Sequence, residues 1–392
     1  MKRVAVLGGG PAGASAAERL AEGGLRTILF DEKLAWEKPC GGGLTYKAYN
    51  RYPYLIDNSI PKRVVTCTRL AAPGAAEANV ELPKPLVIYS RYDLNGMLLA
   101  RAARAGAELE QARVTALRRV AHGWEITAGR GKLNVDFCIV ATGARNSLRG
   151  VGAQLTAEDT MLALGYYLPQ EQEHVDIQFL PGLEGYIWIF PRNGHLSAGI
   201  CGKGEPARKL RARLELFLRE RGIAWSEDSF FSHILPSLAQ PAWRRNRLSG
   251  DGWLAVGDAG GLVDPVTGEG LYYAIRSGDL AGQVLLSDAH PPEHKPQAYR
   301  ALVDRDFALN LEAGAAMARR LFLGRFLWAG APQRMLQLMR RSPKLREVVQ
   351  DLIAGTQGYL GLKRRLLRSL DGGVLEATLG LLLSRFVPKE SA

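Results

Sequence analysis

Three stretches carry residue types and spacings that can do chemistry. The first is Gly8-x-Gly10-x-x-Gly13, with Pro11 and Ala12 inside it and Asp31 eighteen residues beyond. Gly8 can make a tight turn, Gly10 can let a pyrophosphate approach bare backbone, and Gly13 can let a helix pack closely on a strand. A helix starting there offers unpaired N–H groups and a positive dipole end to phosphates. Asp31, or Glu32 beside it, can bind ribose hydroxyls. The chemistry is dinucleotide binding. The second stretch is Cys40 followed by Gly41, Gly42 and Gly43. Glycine is costly to order, so three in a row beside a thiol read either as a flexible loop or as a place where something flat lies against bare backbone. The third is "GYIWIFP", which sets Tyr186, Trp188 and Phe190 at alternate positions on one face of a strand.

The elements that must position these residues are readable. "RVAVL" (3–7), "GGGPAGASAAERLAEGG" (8–24) and "RTILF" (26–30) form a strand, a glycine turn with its helix, and a second strand: one βαβ unit. Residues 91–106 read as a helix with Leu94, Leu98 and Leu99 on its apolar face, and the stretch from 106 to 129 reads as strands. "VDFCIVATGA" (135–144) is a strand running into a tight turn at Gly143. From about 155 to 200, apolar and polar residues alternate in "MLALGYYL", "VDIQFL", "GYIWIFP" and "HLSAGIC", the pattern of an antiparallel sheet with one buried face. A helix follows at 205–222, then a strand and glycine turn at 253–261 and a helix at 270–287. Asp258 in that turn can accept hydrogen bonds from a flavin's ribityl chain, or cap a helix, or both; the helix start can face a flavin's pyrimidine edge or its phosphates. From about 296 the chain reads as mainly helical, with breaks near Gly324, 330–332, 342–343 and 372–373.

The bulk properties exclude several classes. The 392 residues are too many for one small core, and 47% apolar with 23% charged residues is ordinary for a globular chain. A net charge of +12 fits nucleic acid, an anionic membrane or phosphorylated ligands. No nucleic-acid module accompanies it. The four cysteines, at 40, 67, 138 and 201, show neither CxxC pairs nor zinc spacing, so they read as reduced thiols of a cytosolic protein without a metal site. The charged start before residues 4–7 breaks at Gly8 and continues into a helix, unlike an export signal. No apolar run reaches the ~18 residues of a membrane span. Residues 301–392 carry 15 Lys/Arg against 8 Asp/Glu, with leucine and phenylalanine between the arginines. These are either amphipathic helices capping the fold or a basic, apolar surface that docks on anionic lipid.

The glycine fingerprint, the ATG turn, the GD motif and Arg91 in "SRYDLNGML" together resemble the flavoproteins related to p-hydroxybenzoate hydroxylase. Within them, "KPCGGGL", "GYIWIFPRNGHLSAGI" and "GDAGGLVDPVTGEGLYYAIRSG" resemble the geranylgeranyl reductase family, over roughly residues 1–285. The resemblance implies an α/β fold with a Rossmann-like FAD-binding domain (1–50, 86–150 and 245–295), an antiparallel-sheet substrate domain (51–85 and 151–244) and a helical C-terminal region (296–392). It implies that FAD is held by the fingerprint residues Gly8, Gly10, Pro11, Ala12 and Gly13, and by Asp31 and Glu32. Cys40, Gly41 and Gly42 join from their loop, Arg91, Val114 and Gly143 from the middle of the chain, and Asp258, Gly268, Gly270 and Leu271 from the last glycine turn.

The implied activity is saturation of isoprenoid double bonds with reduced FAD. An isolated alkene is not polarised toward hydride, so a proton donor and a dry pocket with aromatic faces would help. The resemblance puts Cys40 near the reacting carbon as proton donor or shape element, and makes Tyr186 and Trp188 pocket walls. Arg192 would meet a phosphate or be solvated. His195 and His233 read as structural, Glu269 as a turn residue or a group acting near the flavin, and Cys67, Cys138 and Cys201 as core. There is no second glycine fingerprint, so the electron donor would be NADPH docking transiently or a small redox protein. The expected partner is an isoprenoid or lipid, with no nucleic acid. The expected location is the cytoplasm, with peripheral contact at the inner membrane left open. The C-terminal pattern of a chlorophyll-pathway reductase is not seen. A second reading keeps the fold but makes the enzyme a monooxygenase or halogenase, since "YIWIFP" is similar to the WxWxIP signature with Tyr and Phe substituted; "KPCGGG" and "DPVTGEG" favour the reductases. A third is a flavin-bound membrane or redox-sensing protein without turnover.

Overall fold

The computed structural model describes residues 3–326 and 328–369. The opening βαβ unit is formed as its sequence dictates. The strand Arg3–Leu7 is nearly all buried, and the helix Pro11–Glu22 starts with Pro at its first turn and stops at Gly23. Its alanines lie against the helix Leu271–Leu286, where Gly278 and Gly282 let the two backbones approach closely. The strand Arg26–Phe30 returns beside the first, and Leu7 pairs with both Phe30 and Val140. The resulting six-stranded sheet runs in the order 249–250, 253–255, 137–140, 3–7, 26–30 and 108–110, parallel except at its first pair. The helix Arg91–Arg104 covers one face with Leu94, Leu98 and Leu99, all buried. A three-stranded meander (114–120, 123–128 and 131–135) covers part of the other.

The alternating segments build an eight-stranded sheet, in the order 230–236, 160–168, 195–202, 185–192, 175–179, 63–71, 78–88 and 43–44. It is antiparallel apart from one parallel junction, between 175–179 and 63–71. Its outer face holds Ile187 and Ile189 against the helix Ala207–Glu220. Its inner face carries Tyr186, Trp188 and Phe190. The two residues Gly43–Leu44 add to the edge of this sheet, so the glycine loop joins both sheets directly.

The C-terminal helices come as expected, with one difference. The segment Leu309–Leu323 ends at Gly324, Ala331–Arg341 follows, and Ser342 caps Pro343–Ile353 with its hydroxyl. A further break at Gly355, φ +75°, separates Tyr359–Arg368. The break expected at 372–373 and the rest of the basic tail lie outside the described residues. Leu336, Met339 and Val349 pack on Val65, Val80 and Leu86 of the large sheet, so these helices close one end of the cleft between the layers. Among the described residues no helix is long and apolar enough to cross a membrane.

Candidate active site

A continuous cavity of about 870 Å³ runs from the first glycine turn, past the Cys40 loop, to the apolar face of the large sheet. At its nucleotide end, Gly8 has φ +120°, and a Cβ there would overlap the Ala141 carbonyl. A side chain at Gly13 would overlap the Gly8 carbonyl, so that glycine serves helix packing and does not line the cavity. Gly10 and Gly143 line it, with nothing within 4 Å of where a Cβ would stand. Asp31 Oδ2 accepts the Gly9 N–H at 2.7 Å, and Oδ1 accepts those of Lys33 and Leu34, each at 2.8 Å. The carboxylate thus shapes the turn and keeps acceptor capacity on Oδ2. Arg91 is 4% exposed; its Nη2 donates to Asn95 at 3.3 Å, and its Nε has no partner among the described residues.

Asp258 is not a helix cap. It sits in a short helical turn, Gly257–Gly260, and its Oδ2 accepts from Lys38 Nζ at 3.1 Å. Burial alone would raise its pKa. The Lys38 charge and hydrogen bond, with Arg91 beyond, outweigh that and hold it below the ordinary aspartate value. The His233 pKa is lowered too, to about 3, first by burial and then by the Lys38 charge, so its imidazole is neutral. Its Nε2 has no partner among the described residues. Open glycine backbone, an orphaned buried guanidinium nitrogen and a cation-ringed carboxylate fit an elongated ligand carrying phosphates and hydroxyls. FAD is such a ligand. Pro11, Ala12, Glu32, Gly268, Gly270 and Leu271 line the same cavity. Val114 does not: it belongs to the meander and packs beside the second core.

The Cys40 loop is fastened from two directions. Arg192, 1% exposed, pairs with Glu37 at 2.7 Å and donates to the Cys40 carbonyl, which also accepts from Ser197 Oγ at 3.1 Å. This corrects the expectation for Arg192, which neither faces solvent nor is free for a phosphate: the strand buries it, and Glu37 supplies the counter-charge. Glu37 also accepts the N–H groups of Arg91 and Tyr92 at 3.0 and 3.1 Å, capping the helix that carries Arg91. Burial would raise the Glu37 pKa; the Arg192 charge and these N–H donors lower it overall. The three glycines have a specific neighbour. A Cβ at Gly41 would stand 3.2 Å from the Phe190 ring and one at Gly43 2.8 Å from it, while Gly42, φ +81°, lies against the Tyr89 carbonyl. The flat group against the bare backbone is therefore the protein's own Phe190. Cys40 lines the cavity, with its sulfur accepting the Gly42 N–H at 3.3 Å.

Tyr186, Trp188 and Phe190 all line the cavity, with Ile177, Phe231 and Leu235 around them. Tyr186 OH donates to the Thr267 carbonyl, tying the aromatic strand to the loop that carries Gly268. Burial raises its pKa far out of the working range. Trp188 Nε1 has no partner among the described residues. Cys138 and Cys201 are buried as expected, Cys67 is half-buried, and Cys201 also forms part of the cavity wall. His195 lies outside the cavity, edge-on to Tyr167. Lys38, Lys47 and His233 line it without having been singled out in that role. Lys38 had one usable signal, its place two residues before Cys40. For His233, alternation along "FFSHILP" would have placed it on the face shared with Phe231 and Leu235.

Residues 2–164 match the family model described as pyridine nucleotide-disulphide oxidoreductase. Geranylgeranyl diphosphate reductase of Synechocystis sp. is 27% identical over 331 residues, 75% of this chain and 77% of that one. The solved structure of a geranylgeranyl bacteriochlorophyll reductase-like protein from Thermoplasma acidophilum has a TM-score of 0.74 at 22% identity, covering 94% of this chain and 100% of that one. The flavin-dependent brominase Bmp2 has a TM-score of 0.70 at 18% identity, covering 93% and 98%. Both structures share the expected fold.

Proposed function

We propose that this FAD-dependent oxidoreductase, a relative of the geranylgeranyl reductases, saturates carbon–carbon double bonds of a polyprenyl lipid or quinone side chain. The observation that carries the reading is the continuity of the cavity, from the glycine cradle to a wall of Trp188, Phe190, Ile177 and Leu235. An extended hydrocarbon fits such a wall, and its entry excludes water. In the same proposal the six-stranded sheet, with its helices, binds the nucleotide and the eight-stranded sheet binds the substrate.

When bound, reduced FAD supplies the hydride. The chain supplies position, dryness and protons. Arg91, Asp258 and the open backbone at Gly10 and Gly143 hold the cofactor. Trp188 and Tyr186 present aromatic faces that stabilise positive charge developing on the alkene. Cys40, fixed by Arg192 and Ser197, shapes the cavity at the reacting carbon and offers an S–H there. The reading leaves the electron donor to NADPH or a small redox protein, and a lipid substrate would be met at a membrane surface.

The test is anaerobic. The protein is reduced with dithionite and mixed with a geranylgeranyl lipid, flavin reoxidation is followed by absorbance, and the product is weighed. Reoxidation without oxygen, with a mass gain of two hydrogens per turnover, is the expected outcome. A flavin that stays reduced until air is admitted would overturn the reading in favour of an oxygenase or halogenase.

A further inference from the structure

One titratable group in the cavity has no part in holding the cofactor or fastening the Cys40 loop. Glu269 stands between Gly268 and Gly270, and only Thr45 Oγ donates to it, at 2.9 Å; its second oxygen has no hydrogen-bond partner among the described residues. The carboxyl's hydrogen-bond donor and the turn that carries Glu269 both belong to the site. Thr45 follows the glycine loop through Leu44, and Thr267, two residues before Glu269, accepts from Tyr186 OH. The carboxyl therefore lies where the Cys40 loop, the aromatic strand and the last glycine turn meet. Glu269 is half-buried and lines the cavity.

We infer that Glu269 is a further catalytic residue, the carboxylic acid that gives the substrate alkene its proton; this rests on the reductase reading. In the step, the alkene π pair takes the Glu269 proton to form one C–H bond. Hydride from reduced flavin forms the other, leaving oxidised flavin and a Glu269 carboxylate that solvent reprotonates. An acid for this purpose must still hold its proton at neutral pH, and the surroundings arrange that. Burial raises the Glu269 pKa, Lys47 lowers it, Asp264 raises it, and the outcome is about 7.

The facing groups explain the balance. Lys47, from the helix Tyr46–Arg51, is itself depressed by burial and lies over the rings of Tyr272 and Tyr273, at 4.2 and 4.8 Å, without an ion pair to Glu269. Asp264 is raised by burial and accepts from Tyr359 OH at 2.7 Å; Asp306 is paired with Arg276. Tyr272, Tyr273 and Tyr359 are all raised by burial and stay neutral. Lys47 is the one cation named here without a carboxylate partner, and its field, with the smaller help of the Thr45 hydrogen bond, pulls Glu269 down.

The test compares wild type, Glu269→Gln and Lys47→Met. In the anaerobic assay, Glu269→Gln should bind FAD normally yet reduce the alkene ~100-fold or more slowly, the range lost with a general acid. Glu269→Asp should recover part of the rate. Independently of turnover, the carboxyl carbon of 13C-labelled Glu269, followed by NMR in the protein without substrate, should titrate near neutrality. Lys47→Met should move that titration to higher pH. A wild type that never reoxidises anaerobically refutes the reductase reading. A wild type that turns over while Glu269→Gln stays within about three-fold of it refutes the role of Glu269 alone. Titration of Glu269 in the ordinary carboxylate range refutes it as well, whether or not the glutamine variant folds.

Discussion

Replacing Arg192 with methionine tests whether the Cys40 loop is held by one buried charge pair. The substitution keeps much of the apolar stem and removes a guanidinium that pairs with Glu37 at 2.7 Å and donates to the Cys40 carbonyl. Breaking a fully buried pair costs ~3–5 kcal/mol, because the surviving charge is left uncompensated. Glu37 keeps 31% of its side chain exposed and retains two N–H donors, so water and backbone still solvate it. That solvation reduces the cost to about 2–3 kcal/mol, below the range for a pair fully cut off from water. This loss is local, and the amide of Tyr89 reads it, because its N–H donates to the Gly42 carbonyl at 3.0 Å. Hydrogen exchange at Tyr89 should quicken ~30- to 150-fold. The Ala141 amide, bonded to Leu7 at 2.9 Å in the parallel sheet, should not change. Adding Glu37→Gln to Arg192→Met should restore most of the protection, since a neutral amide needs no counter-charge. The pH dependence has a definite sign. The folded Glu37 pKa lies below its ordinary value, so its stabilisation is complete above that value and is lost as pH falls through the folded pKa. Tyr89 protection in the wild type should therefore weaken below about pH 4, and the Arg192-dependent share of that change should be absent from the variant. A Tyr89 amide that changes less than about three-fold in Arg192→Met would refute the reasoning.

Gly42→Ala should be worse tolerated than Gly41→Ala, because it adds a left-handed backbone, ~1–2 kcal/mol for an L-residue, to an overlap with the Tyr89 carbonyl that cannot rotate away; thermal unfolding of both variants checks the order. Cys40→Ser should keep FAD bound and slow alkene reduction by about ten-fold or more, the scale of a lost positioning group; an unchanged rate would leave Cys40 a packing role. His233→Gln should leave the pH profile of the reductive step unaltered between pH 5 and 8, because His233 is already neutral there. A neutral-pH transition that disappears with His233→Gln instead of Glu269→Gln would move the acid to the histidine.

The parts of this fold legible in the sequence are those set by local rules. Gly8, Gly10 and Gly13 each answer a single steric demand within twenty residues of the strands they serve, so the nucleotide cradle was readable as a motif. Alternation in "GYIWIFP" assigned Tyr186, Trp188 and Phe190 to one face because strand geometry has period two, and all three line the cavity. The motifs also led to an FAD-dependent oxidoreductase, a relation the comparisons bear out.

What escaped the sequence depends on pairs separated by long loops. Arg192 and Glu37 are 155 residues apart, and Lys38 and Asp258 are 220 apart. Nothing in either neighbourhood announces a partner: Arg192 reads as a phosphate contact or a solvated residue, and Glu37 and Lys38 carry no reading of their own. The same distance hid the reason for the three glycines. Their run allowed a flexible loop or a flat group lying on them, and only the pairing of Gly43–Leu44 with the strand Ala78–Ile88, and the placement of the aromatic strand opposite, decides for a flat group and makes it Phe190. The consequence is mechanical. The loop that presents Cys40 rests on a ring from the substrate wall and is pinned by an arginine two residues further along the same strand. A substrate that moves Phe190 must therefore also move Cys40. If the proposed reductase reading holds, chain length and branching of the bound hydrocarbon would act on the Cys40 loop through one strand.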